Sequence, residues 1–76
     1  MFGVESWIVK SLKESYTPGT RVMLDYMNDP YTRIEVGTKG TVRSVDDVGT
    51  IHVSWDDGHG LGIVYGEDRC HKIEED

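Results

Sequence analysis

Thr50-Ile51-His52-Val53-Ser54-Trp55-Asp56-Asp57-Gly58 decides how this chain reads. Ile51, Val53 and Trp55 alternate with His52 and Ser54, the period-two pattern of a strand with one buried face. Asp57-Gly58 is a hairpin signal, because Asp and Gly tolerate the left-handed angles that tight turns demand. Leu61-Gly62-Ile63-Val64-Tyr65 is then the returning strand. On the other side, Asp46-Asp47-Val48-Gly49 reverses the chain after Thr41-Val42-Arg43-Ser44-Val45, so three consecutive antiparallel strands follow. Val42 and Val45 break strict alternation, which predicts a bulge or bend between them.

The same grammar extends outward. In Arg21-Val22-Met23-Leu24-Asp25-Tyr26, Val22, Leu24 and Tyr26 face one side. Asn28-Asp29-Pro30-Tyr31 opens a longer loop reaching to about Val36, and Gly37-Thr38-Lys39-Gly40 turns into the next strand. Gly66-Glu67-Asp68 breaks the sheet again, and Cys70 to Ile73 supplies a last short strand. Gly62, inside a strand, marks a bulge or a close approach to the backbone by a ligand or the helix. Upstream, Val4, Trp7, Ile8, Leu12 and Tyr16 recur at helical spacing, with Glu5, Lys10, Lys13 and Glu14 on the other face, so a helix is expected over roughly 4 to 15. It stops before Thr17-Pro18-Gly19, where the residue preceding proline is pushed out of the α region.

Five short strands cannot hide two sheet faces in so few residues unless the sheet curls on itself. The expected fold is mainly β: a small SH3-like five-stranded barrel over residues 18–76, with one N-terminal α-helix in residues 1–17 packed on it, one domain overall. Trp7, Ile8 and Leu12 are expected against the apolar residues of the barrel.

Seventy-six residues hold one core, and so small a core buries only about 60% of the surface its unfolded chain exposes. Self-association is one way to add to its stability. Apolar residues at 37% and charged residues at 29% suit a folded domain. The single cysteine, Cys70, excludes an intramolecular disulfide, and no apolar run reaches the ~18 residues of a membrane span. A cytoplasmic location with no membrane contact is expected. Net charge is −6. Lys10 and Lys13 balance Glu5 and Glu14, so in residues 18–76 six Lys or Arg face twelve Asp or Glu. That surplus of acid works against direct nucleic-acid binding, which needs a basic stripe.

Pro18-Gly19-Thr20-Arg21-Val22, Met27-Asn28-Asp29-Pro30-Tyr31, Gly37-Thr38-Lys39-Gly40-Thr41-Val42, Val45-Asp46-Asp47-Val48-Gly49 and the Ile51 to Gly58 run resemble the bacterial family of unknown function numbered 4314. Leu61-Gly62-Ile63-Val64-Tyr65-Gly66-Glu67-Asp68 is similar to that family's usual ending, so the likeness covers nearly the whole chain. The skeleton is similar also to ligand-binding SH3-like barrels such as the Mind bomb domain. The resemblance implies a small intracellular protein of the kind carried by phages, plasmids and conjugative elements, and brings no assigned activity and no binding residues.

Candidate chemistry is sparse. Cys70-His71 is a neighbouring thiol and imidazole, but adjacent strand residues point to opposite faces, so the thiol reads as structural. His52, His59 and His71 lack metal-site spacing with Cys70, and Asp46-Asp47 and Asp56-Asp57-Gly58 lack the calcium-loop pattern. No cofactor, no metal and no enzymatic activity are expected. The glycines lie between strands and do not lead into a helix, unlike a phosphate loop. The aromatic set is the better lead: Tyr26 and Tyr31 flank the long loop, and Trp55 and Tyr65 lie at strand ends, although filling the core is the commoner role for Trp55 and Tyr26. These residues suggest a non-catalytic module that binds a protein or peptide with a basic surface through Asp29, Tyr31, Asp46, Asp47, Trp55 and Tyr65. The rival reading is a mobile-element accessory protein that counters host defence by binding a nucleic-acid-handling protein or a nucleotide signal.

Overall fold

The computed structural model describes residues 5–29 and 31–74. Its elements run α1 (Ser6–Ser15), β1 (Arg21–Tyr26), β2 (Lys39–Val45), β3 (Thr50–Trp55), β4 (Gly62–Val64) and β5 (Arg69–Lys72). The five strands form one antiparallel sheet in the order β4-β3-β2-β1-β5. The sheet does not close: its outer strands, β4 and β5, approach without pairing. In a flat sheet these edges would lie ~19 Å apart, four strand spacings, further than the four residues joining them can span, so the sheet must curl. The expected barrel is therefore a curled sheet with one open seam.

The register explains which residues fill the core. Val22 pairs with Gly40, which pairs in turn with Trp55. A Cβ on Gly40 would come within 2.6 Å of Val53 Cγ1 and 2.7 Å of the Trp55 ring, so only glycine lets β2 pass beneath them. Val22, Leu24, Ile34, Val42, Ile51, Val53, Trp55 and Ile63 make one buried cluster. The bulge expected in β2 is present as a register shift between Val42 and Ser44. A second shift, between Leu24 and Tyr26 against β5, frees Tyr26 from the buried face it was expected to share, leaving it 44% exposed. At Gly62 the close neighbour is neither a ligand nor the helix but Thr50 across the ladder, 2.6 Å from where a Cβ would stand.

Helix α1 ends where the sequence indicates, with the Tyr16 N–H bonded to the Leu12 carbonyl at 2.8 Å. Its buried face differs from the expected one. Val9 is buried, and Leu12 and Tyr16 pack against the core, whereas Trp7 is 65% exposed. Residues 9, 12 and 16 already satisfy the three-four spacing, and Trp7 lies about 200° around the helix from Val9, so the indole cannot share the face that Val9 buries. Val4 lies outside the described residues. The Lys13 ammonium holds Asp47 of the β2–β3 turn at 2.6 Å, and Lys72 of β5 reaches the Ser15 carbonyl at 3.4 Å, which ties the helix down at two points. No helix among the described residues is long and apolar enough to cross a membrane.

Candidate functional site

The open seam holds a cleft of about 590 Å³. Each wall comes from a different element. The end of α1 contributes Leu12 and Tyr16, the end of β1 contributes Tyr26, and the β4–β5 turn contributes Tyr65 and Glu67. Ile51 and Ile63 form the apolar floor, and Arg69 and Cys70 close the β5 side. Three tyrosines thus converge from distant parts of the sequence because the seam is where the helix, the bulged end of β1 and the turn meet.

Asp68 holds the turn in place. It is buried, and its carboxylate accepts the Asn28 N–H at 2.8 Å and the Val64 N–H at 3.0 Å. The Val64 carbonyl in return accepts the N–H groups of Glu67 and Asp68. Both backbone polar groups of Val64 are satisfied within the turn, so this end of β4 offers nothing to an added strand.

Its electrostatics follow from burial and from Asp25. Burial, then the Asp25 carboxylate, pushes the Cys70 thiol up to about 11. Burial, then Cys70 and Asp25, raises the Tyr16 phenol above its ordinary range. Two of the three rings carry an internal cation: the Arg69 guanidinium lies 5.9 Å from the Tyr26 centroid, and the Lys72 ammonium 5.7 Å from that of Tyr16.

Of the six residues expected from the sequence to bind a partner, Asp29, Tyr31, Asp46, Asp47, Trp55 and Tyr65, only Tyr65 lines this cleft. Asp29 and Tyr31 sit together elsewhere, around a shallow hollow of about 330 Å³ with Arg33, His59 and Leu61. Asp29 Oδ1 accepts the Tyr31 N–H at 2.9 Å, and the Tyr31 ring is 91% exposed. Pro30 lies outside the described residues. Trp55 is a core residue, 3% exposed, with its indole N–H bonded to the Leu61 carbonyl at 2.9 Å, so its ring offers no binding surface. Asp46 serves its own turn: Oδ1 accepts the N–H groups of Val48 and Thr50, and Oδ2 bonds His52 at 2.8 Å. The Thr50 bond first, then the His52 bond, hold its carboxyl below the usual carboxylate range. Asp47 is paired with Lys13. Tyr16 is legible in the sequence only as the last residue of the helical stripe, whereas Tyr26 belongs to the aromatic set flanking the long loop, and its 44% exposure removes it from the core role that is commoner for such a residue.

The three histidines are dispersed, each beside one carboxylate: His52 with Asp46, His59 with Asp57 and His71 with Asp25, all at 2.8 to 2.9 Å. Among the described residues no three His, Cys, Asp or Glu gather as metal ligands would. His71 turns outward to Asp25 while Cys70 packs against the core, the opposite-face arrangement of neighbouring strand residues.

No curated protein and no solved structure matches the chain. A family model does, that of a domain of unknown function (DUF4314), and it matches residues 5–73. That span takes in the helix, all five strands and every wall of the seam cleft, and the chain belongs to this family.

Proposed function

We propose that the protein is a non-catalytic binding module that docks a segment of a partner protein in the seam cleft. The carrying observation is the convergence of Tyr16, Tyr26 and Tyr65 over the Ile51 and Ile63 floor in a concavity of about 590 Å³. Aromatic rings supply large contact area at little conformational cost, and grooves of this build anchor side chains of extended peptides. The chemistry favours binding over catalysis: Cys70 is held as a thiol, the histidines are dispersed, and among the described residues no serine, threonine or cysteine side chain is hydrogen-bonded to a histidine.

Selection of a random dodecapeptide display library on the immobilised protein tests this reading. Enriched peptides should bind the wild type and fail on a folded Tyr26→Ala, Tyr65→Ala double variant. If no enriched peptide depends on these two rings, the reading is wrong.

A further inference from the structure

We infer that the seam cleft takes a cationic side chain, an arginine or lysine of the partner segment, seated on the Tyr65 ring beside the Glu67 carboxylate. This rests on the binding reading above and specifies its chemistry. The fold itself shows that these ring faces accept cations, since Tyr26 carries the Arg69 guanidinium at 5.9 Å and Tyr16 the Lys72 ammonium at 5.7 Å. Tyr65, which is 49% exposed, has no cation over its ring among the described residues. Two positions on, Glu67 lines the same cleft, exposed and without a hydrogen bond or ion pair to its carboxylate among the described residues. A ring face and a carboxylate at one rim are the two groups that hold a guanidinium.

The surroundings favour the same sign of charge. Asp25 lies close enough to disfavour the anionic forms of both Tyr16 and Cys70, after burial, a field that works against an entering phosphate or carboxylate. The Asp68 oxygens, committed to backbone N–H groups, add to this negative field. The chain's net charge of −6 steers a basic segment toward it at long range. Arg69 then acts as an internal competitor, covering a ring that a second ligand cation could take.

The test is an amide-resolved NMR titration with a blocked Arg-Gly hexapeptide, its citrulline counterpart, which has the same shape without the charge, and a Glu-Gly counterpart. The arginine peptide should shift Tyr65, Gly66 and Glu67, weaken with added salt and bind more tightly than the citrulline peptide. Tyr65→Leu, which keeps apolar bulk but loses the π face, and Glu67→Gln should each weaken it about two- to fivefold, and Arg69→Gln should tighten it by a similar factor. Equal binding of the citrulline peptide at the cleft overturns the cation inference and leaves the binding module standing. Preference for the Glu-Gly peptide overturns it too. Absence of any shift at the cleft also overturns it, and ring-dependent peptides from the display selection that lack Arg and Lys would then show that the module survives without it.

Discussion

Asp68 reaches across the fold to Asn28, 40 positions upstream, accepting its backbone N–H at 2.8 Å while the other carboxylate oxygen takes the Val64 N–H. One buried side chain thus joins the end of β1 to the β4–β5 turn and fixes the mouth of the cleft.

Removing it should be among the more damaging single changes outside the apolar core. Asp68→Ala leaves two N–H groups without their charged acceptor, and hydrogen bonds to charged groups contribute about 1.5 to 3 kcal/mol each. A loss of about 2 to 4 kcal/mol is expected, and in a chain of this size even 1 kcal/mol lowers the Tm by about 4 to 8 °C. A thermal melt within a degree or two of wild type would show that water replaces the carboxylate without penalty.

The helix makes a contrasting pair of predictions. Trp7→Ala should change stability by less than about 0.5 kcal/mol, because the ring is exposed, although tryptophan is the largest apolar residue of the helix. Leu12→Ala should cost about 2 kcal/mol, at the low end for leucine because the side chain is only partly buried against the core. Urea midpoints of the two variants check the order; a larger loss for Trp7→Ala would mean that the indole packs in solution.

How much of this was legible depends on how local the signal was. The Ile51, Val53 and Trp55 alternation gave β3 its buried face because strand geometry alone imposes it. The β2 bulge showed as the misfit of Val42 and Val45. Of the expected helical stripe, Leu12 and Tyr16 do pack against the core, whereas Trp7 gives way to Val9, because both sets obey helical spacing and only the sheet decides which stripe is covered. The site was mostly hidden for a related reason. Tyr16, Tyr26 and Tyr65 meet only once the sheet curls and stops short of closing, and no local pattern encodes where a seam falls. Asp68 reads as one more turn acid until its partner Asn28 is known.

Gly40 tests the packing of the sheet directly. Alanine there would drive a methyl into Val53 and Trp55, with the Ser54 carbonyl 3.0 Å away, so the strand must shift. Gly40→Ala should destabilise by about 1 to 3 kcal/mol, the usual range for overpacking. Gly60→Ala, where a Cβ meets nothing within 4 Å, is the control and should be near neutral.

Acid should unfold the protein through its turns. Asp46, Asp56 and Asp57 are all held below the ordinary carboxylate range, by the Thr50 N–H, the Arg21 guanidinium and the His59 N–H respectively. A depressed folded pKa means that protonation favours the unfolded chain. The stabilisation is therefore present in full above the unfolded value near about 4 and is lost as pH falls through the lower folded values. Urea midpoints should be steady from about pH 7 to 5 with respect to these groups and fall below about pH 4, and Asp46→Asn should flatten part of that fall. An unchanged slope in Asp46→Asn would show that its turn bonds persist on protonation.

Cys70 supplies the last prediction, on whether the cleft holds a nucleophile. Alkylation proceeds through the thiolate, and a thiol pushed up to about 11 is ionised only about one part in ten thousand at pH 7, against a few per cent for an ordinary cysteine. Partial burial against the core slows access further. Iodoacetamide should therefore modify the native protein at least about a hundredfold more slowly than a free cysteine peptide at pH 7.5, with a rate that climbs past pH 9 and does not level off there. Because Asp25 contributes to the shift after burial, Asp25→Asn should raise the rate modestly, whereas unfolding in urea should restore the full rate of the peptide. A native rate equal to the peptide's would mean that the thiol is exposed and ordinary, and would return Cys70 to the set of candidate reactive groups in the cleft.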